Sequence, residues 1–380
     1  MRLRGTLLAV LLLAGACARV DGTLSHTHGA PPRMARGAPS PAPAPATAQP
    51  PSAGIRVAAV GDIMLGTDYP ENHLPDDDGE SFLSGVAAIL GAADLTFGNL
   101  EGVLMDGGEP RKQCQTPELC YLFRTPTRYT THLLRAGFDV ISLANNHTRD
   151  FGEEGRSATV AALDRAGIRH SGREGDVASW TVRGLPTAVI AFAPTVGSHS
   201  LLEIEAAAIR VRELSDTHAI TIVSFHGGAE GLDATHVPFE EEFFYGEARG
   251  DVVRFSHAVI DAGADLVIGH GPHVPRALEL YGDRLIAYSL GNFATYYGIS
   301  VAGIRGLAPI LIAELGSDGR FLGGQIVSAH QIRPGGPTLD PERKAFKLIR
   351  ALTEEDFGQA GIRFEDKATF HPLAADVSRE

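Results

Sequence analysis

The chain has 380 residues, 44% of them hydrophobic and 21% charged, and carries a formal net charge of -13. That length allows one large domain or two ordinary ones, and the apolar fraction is that of a globular protein with a sizeable core. The acidic balance argues against DNA or RNA as a partner, because phosphate binding needs a basic field.

Arg2 and Arg4, the apolar stretch from Leu7 to Leu13 and the small residues Ala14-Gly15-Ala16 read as an export signal over 1–16. The stretch is too short to span a bilayer as a mature helix. Its end has two readings. Ala14-x-Ala16 suits ordinary signal cleavage, whereas Leu-Ala-Gly-Ala-Cys resembles a bacterial lipobox that would lipidate Cys17, with Ala14 in the place usually held by Leu. Both make the mature protein exported to the cell envelope, and the second anchors it in the membrane. Residues 17–54 are rich in Pro and Ala without an apolar period, so they read as a tether, with His26 and His28 as solvated filler.

From residue 55 onward strand and helix patterns alternate. IRVAAVG (55–61), DLTFGN (94–99), FDVISLAN (138–145), AITIVSF (219–225) and DLVIGH (265–270) read as short buried strands stopped by Gly, Asn or Asp. Helical patterns are expected at 79–93, 131–137, 153–167, 238–263 and near 340–353, and 206–214 is a charged amphipathic stretch. The runs 284–290, 308–315 and 321–329 lack helices between them and are expected to form a second sheet. The sum is an α/β fold, two packed mixed sheets flanked by helices, over 55–330, with a C-terminal helical extension and tail over 331–380.

Each strand run ends at a polar cluster: Asp62, Glu101, Asn146-His147, His226, and His270-Gly-Pro-His273. Taken singly, these residues suit turns, caps or core histidines. A parallel sheet gathers its strand ends along one edge, so together they are expected to line one cleft. Carboxylate, amide oxygen and imidazole suit a divalent transition metal such as Zn, Mn, Fe or Ni rather than Ca. Asp150 is a candidate to orient His147 or to cap the helix near Glu153. Glu230 is a candidate partner of the metal site, a contact for a substrate ammonium, or a loop cap, and Asn292 is a candidate cleft-lining residue. Cys114 and Cys120, six apart in a compartment that oxidises thiols, are most simply a disulfide, with a metal or redox pair as the alternative.

GDIMLG (61–66), GNLEG (98–102), SLANNHTRDFG (142–152), SFHGGAE (224–230), IGHGPHVPRALELY (268–281) and AYSLGNF (287–293) resemble the motif series of the capsule synthesis protein CapA family. The resemblance covers about 55–330 and implies a calcineurin-like metallophosphoesterase fold and a link to poly-γ-glutamate capsule biosynthesis. It implies Asp62, Glu101 and His273 as ligands of a first metal, and Glu101, Asn146, His226 and His270 as ligands of a second. His147 would protonate a leaving group or steady developing charge. The metallophosphoesterase pattern starts Asp-x-His where this chain has Asp62-Ile63-Met64, so the first site loses one imidazole, keeping that of His273, and the second is expected to bind more tightly. One or two ions, Mn, Fe or Zn, are implied.

Three functions compete on this basis. The first is an exported metal-dependent hydrolase or transferase acting on an anionic envelope polymer such as poly-γ-glutamate. The second is a non-catalytic attachment factor working with other capsule-assembly proteins. The third, a generic phosphoesterase, is disfavoured by Met64 and by Glu101 in the place of Asp.

Overall fold

The computed structural model of the chain describes residues 54–112, 120–358 and 361–373, all within one compact unit, Gln49–Glu380. The signal, most of the tether, Cys17 and Cys114 lie outside the described residues.

Strand Ile55–Met64 is buried along nearly its whole length, because both of its faces are covered. Val57 and Ala59 belong to the core between two sheets, and the alternating Ala58 and Val60 belong to the layer behind the first. A strand covered on both faces needs no polar positions, which is why its sequence is a continuous apolar run.

The first sheet has nine strands. Its order is Ile362–Phe364, Thr369–Pro372, Phe321–Val327, Ile310–Leu315, Ile55–Met64, Leu95–Leu100, Val140–Ser142 and Arg169–Ser171, with Asn292–Thr295 also pairing Ile55–Met64. The last four strands of that order pair in parallel, while Ile310–Leu315 runs antiparallel to Ile55–Met64. The second sheet, of seven strands, runs Leu278–Tyr281, Arg284–Ala287, Leu266–His270, Ile220–His226, Leu185–Ala193 and Ala178–Val182, with His199–Ser200 beside Leu185–Ala193.

The sheets pack face to face. Val57, Leu95, Phe97 and Val140 of the first share one core with Val189, Ile222, Leu266 and Ile268 of the second. Helices Thr130–Ala136 and Gly152–Ala166 cover the outer face of the first sheet through Leu133 and Leu163. Helices Ile204–Ser215 and Val252–Asp261 cover the second through Val211 and Val259. The expected sandwich of two mixed sheets flanked by helices is the observed architecture.

Several elements differ from expectation. Ile310–Leu315 and Phe321–Val327 extend the first sheet, and only Arg284–Ala287 of the three later runs joins the second. An apolar run such as Ile310–Leu315, buried along nearly its whole length, carries no mark of which sheet receives it. The second sheet is instead completed by Leu185–Ala193, an unbroken strand that the sequence reading does not place. Within 238–263 a hairpin, Glu242–Phe244 with Glu247–Gly250, precedes the helix. That helix starts only where the Asp251 side chain accepts from Arg254 N at 2.9 Å. Over 79–93 turns precede a single helical turn, Ala87–Leu90. The amphipathic 206–214 lies in a true helix, and the C-terminal stretch adds to its helix Lys344–Phe357 the strand Pro337–Leu339 and two strands, Ile362–Phe364 and Thr369–Pro372, that extend one end of the first sheet.

Candidate metal centre

The polar clusters stand at strand ends of both sheets. Asp62 lies near the end of Ile55–Met64, Glu101 directly follows Leu95–Leu100, and Asn146 and His147 follow Val140–Ser142. His226 and His270 end adjacent parallel strands of the second sheet and are register partners. The sheets meet here: His270 Nε2 lies 3.0 Å from the Val60 carbonyl oxygen, and His273 Nδ1 lies 3.1 Å from Asp62 Oδ2.

Hydrogen-bond partners decide which ring nitrogens are free. A carbonyl only accepts, so His270 carries its proton on Nε2 and keeps a lone pair on Nδ1. Asn292 Nδ2 donates to the carbonyls of His273, Ser300 and Arg305, at 3.3, 3.1 and 3.1 Å. Its Oδ1 is thereby turned to His273 Nδ1 at 3.0 Å, so Nδ1 carries the proton. His273 Nε2 then faces Glu101 Oε1 at 3.6 Å and Glu230 Oε2 at 3.8 Å. His273 sits at φ 59°, a left-handed conformation in which non-glycine residues cluster at functional sites.

Asp62, Glu101 and His273 bring one ligand atom each within 4.8 Å of one another, and among the described residues no other such group of His, Cys, Asp and Glu forms. Asp62 and Glu101 are fully buried. Asp62 Oδ2, both Glu101 oxygens, Asn146 Oδ1, both His226 nitrogens and His270 Nδ1 are buried without a hydrogen bond. Buried polar atoms are rarely left so, and those of Asp62 and Glu101 beside His273 are donors a divalent cation would satisfy, while His226 and His270 stand outside that 4.8 Å group. The residues therefore fit a metal.

Electrostatics agree. Burial holds the His226 imidazole well below its ordinary range, in the neutral form that ligates metal. Burial also pushes the Glu101 carboxyl up, with His273 opposing and Asp62 and Glu230 adding to the rise. Against the effect of burial, Glu101, Asp62 and Glu230 push the His273 imidazole up, so this spot draws positive charge strongly. Met64 contributes no ligand: it is buried in a small apolar group with Phe123 and Ile299.

His147 stands beside this set. Its Nδ1 is 2.8 Å from Asp150 Oδ2, an oxygen that also accepts from Phe123 N at 2.8 Å. The helix Gly152–Ala166 starts without a side-chain cap, so Asp150 is spent on His147. The Phe123 ring packs 4.4 Å from the imidazole, and burial, opposed by Asp150, lowers the His147 pKa. Lys112 Nζ lies 3.1 Å from Asp150 Oδ1 and donates to the Asn146 carbonyl at 3.1 Å. Glu230 Oε1 lies 2.9 Å from Arg249 Nη1.

Four contributors escaped the sequence reading. Asn99 donates to Asp62 Oδ1 at 2.9 Å and accepts from Asn145 Nδ2 at 3.0 Å, while Asn145 Oδ1 accepts from His147 N at 3.0 Å. Both asparagines lie inside the quoted stretches GNLEG and SLANNH, which was the available signal. Lys112 and Arg249 lie in no such stretch, and only the folded loop and hairpin bring them in.

Fold and site define a class: a two-sheet α/β protein with a buried carboxylate, amide and imidazole cluster where the sheets' strand ends meet. Residues 56–297, more than half of the chain, match the family described as bacterial capsule synthesis protein PGA_cap. The chain belongs to that family. It is 26% identical over 319 residues to the PGA biosynthesis protein CapA of Bacillus subtilis (strain 168), covering 79% of this chain and 78% of that one. It is 25% identical to the capsule biosynthesis protein CapA of Bacillus anthracis, over 63% of this chain and 59% of the relative. A probable polyglutamine synthesis accessory protein of Mycobacterium tuberculosis (strain ATCC 25618 / H37Rv) is 32% identical over 54% of this chain and 57% of its own. The chain thus spans less than two thirds of the last two relatives. Among solved structures, a 5'-nucleotidase precursor from Thermus thermophilus is similar over 79% of this chain and 58% of that one. Its identity is 12% and its TM-score 0.42, too low to carry an argument about chemistry. Among the described residues no helix is long and apolar enough to cross a membrane.

Proposed function

We propose that this is an exported cell-envelope protein whose metal cleft hydrolyses or transfers bonds of an anionic polymer such as poly-γ-glutamate. In this reading lipidated Cys17 attaches it to the membrane, a Cys114–Cys120 disulfide pins the loop beside the cleft, and other capsule-assembly proteins are its neighbours. The observation that carries the catalytic part is the set of buried, unbonded ligand atoms beside an oriented imidazole that lies outside that set.

Asp62, Glu101 and His273 would hold one divalent ion, and Glu101, Asn146, His226 and His270 a second, with Mn, Fe or Zn suited to the donors. Bound there, the metal would supply Lewis-acid polarisation and charge neutralisation at the reacting group. The chain's own residues do the rest. Asp150 holds the Nδ1 proton of His147, which leaves Nε2 to exchange a proton with the departing oxygen or nitrogen. Phe123 packs on the ring and limits its rotation, and Lys112 ties Asp150 to the Asn146 loop. A purely structural metal has no use for an imidazole held in this way, which favours turnover over simple attachment.

Purified full-length protein is expected to carry transition metal by elemental analysis, and the double variant His226→Ala/His270→Ala to lose most of it. Metal-free wild type would sink the metal centre. Poly-γ-glutamate is expected to be processed, generic phosphoesters far less, and His147→Ala should lower the rate by about 10²–10⁴-fold with metal retained. No reaction on either substrate with full metal content would replace the enzyme by an attachment factor.

A further inference from the structure

We propose that Glu230 is a fourth ligand at the Asp62, Glu101 and His273 cluster, so that this position is oxygen-rich while the one built on His226 and His270 is imidazole-rich. The inference rests on the metal reading above and deepens it.

The backbone puts Glu230 there. Gly227 N donates to the His270 carbonyl at 2.8 Å, and Gly231 N donates to the Pro272 carbonyl at 3.1 Å. These bonds clamp the loop 227–231 along the loop 270–273 and set Glu230 opposite His273. The turn between them is tight: Gly228 has φ 82°, and a Cβ on it would stand 2.8 Å from the Arg276 guanidinium.

The side chain is aimed as well as placed. Arg249, only 4% exposed, forms an ion pair with Glu230, its Nη1 2.9 Å from Oε1 though outside hydrogen-bond geometry, and its guanidinium lies over the Phe244 ring at 5.4 Å. With Oε1 beside the Arg249 guanidinium, Oε2 stands toward His273 Nε2, at 3.8 Å against 3.6 Å for Glu101 Oε1. Two carboxylate oxygens thus face the one His273 nitrogen that Asn292 leaves free. Donors about 2.1 Å from a shared ion at octahedral angles stand roughly 3 Å apart, so Glu230, which lies outside the 4.8 Å group of Asp62, Glu101 and His273, would swing inward from its place beside His273. Glu101, wholly buried with both oxygens unbonded, faces the same space.

The strand that carries Asp62 offers no further donor, because Met64 is packed with Phe123 and Ile299. Glu230 supplies the missing ligand from the other sheet, and the buried Arg249 offsets part of the charge of a third carboxylate. Three carboxylates and one imidazole favour a harder ion such as Mn or Mg, whereas two imidazoles, an amide and a carboxylate favour Zn or Fe.

Full-length protein stripped of metal and titrated with divalent manganese alone tests this, with calorimetry for affinity and elemental analysis for ions per chain. Glu230→Gln is expected to raise the Kd of one ion by about tenfold or more and to leave the ion lost in His226→Ala unchanged. Glu230→Asp, which keeps the charge but shortens the reach, is expected to weaken the same ion and covers a failure of Glu230→Gln to fold. Wild-type affinity and stoichiometry in folded Glu230→Gln would overturn the assignment while leaving the metal centre standing. Wild type that binds no metal would overturn both.

Discussion

A methyl group on Gly61 would stand 1.9 Å from the carbonyl oxygen of Gly291, the same oxygen that accepts from Asp62 N at 2.9 Å. The clash is with backbone, so no side-chain rotamer relieves it. Relief requires strand Asn292–Thr295 to move away from Ile55–Met64, and Asn292 holds His273 at its head. Gly61→Ala is therefore expected to cost about 1–3 kcal/mol, the range of overpacking in a tight core, and to weaken metal binding with it. Thermal denaturation and a metal titration read the two effects; a stable variant with wild-type affinity would show that the crossing yields freely. His273 depends on the same crossing, since its left-handed backbone is held in place by Asn292 and Asp62. The strand-end positions of Glu101, His226 and His270 were legible in the sequence because each stands at the end of an apolar run read as a buried strand. Lys112 and Arg249 were not, because one lies in a long loop and the other in a hairpin strand that the sequence reads as helix, and no local period encodes where either ends up.

At the scale of elements, the hairpin and loop that carry Glu230 and Arg249 hang on one buried ion pair. Arg276 is fully buried, with Nη1 and Nη2 donating to the two oxygens of Glu242 at 2.8 and 2.7 Å and Nε donating to the Ala234 carbonyl at 2.7 Å. Glu242 also accepts from Ala229 N at 3.0 Å, next to Glu230. Arg276→Met would leave a carboxylate buried without its partner, and is expected to cost about 3–5 kcal/mol. Urea unfolding measures it, and Arg276→Met combined with Glu242→Leu should recover part of the loss. A single variant as stable as wild type would mean that the loop relaxes and lets water reach Glu242. The region also shows where sequence reading failed at this scale. Residues 238–263 hold enough apolar residues at helical spacing to suggest one long helix. Gly246 and Gly250, both at positive φ, instead allow a hairpin, and the helix waits for its cap at Asp251. Helices that cover a sheet with one apolar face, such as Gly152–Ala166, were readable almost to the residue.

At the scale of the whole molecule, the cluster is drawn from both sheets: Asp62, Glu101 and Asn146 follow strands of the first, and His226, His270 and His273 follow strands of the second. An ion held by both sets binds the folded state alone and ties the sheets together at one end. At a free concentration 100 times its Kd it would stabilise the fold by about 2.7 kcal/mol. Melting in divalent manganese and in chelator measures this; equal melting temperatures at proven full occupancy would show that the ion also binds the unfolded chain. The place of Ile55–Met64 in the first sheet has another outcome. This strand comes first among the described residues, yet Ile55 pairs with Leu315, and Asp62 with Asn292. As the chain leaves the ribosome, its central strand must wait some 250 residues for these partners, exposing apolar edges that invite aggregation meanwhile. Translation order and assembly order are opposed here: Asn292–Thr295 and Ile310–Leu315, which flank the first-made strand, are made more than 200 residues after it.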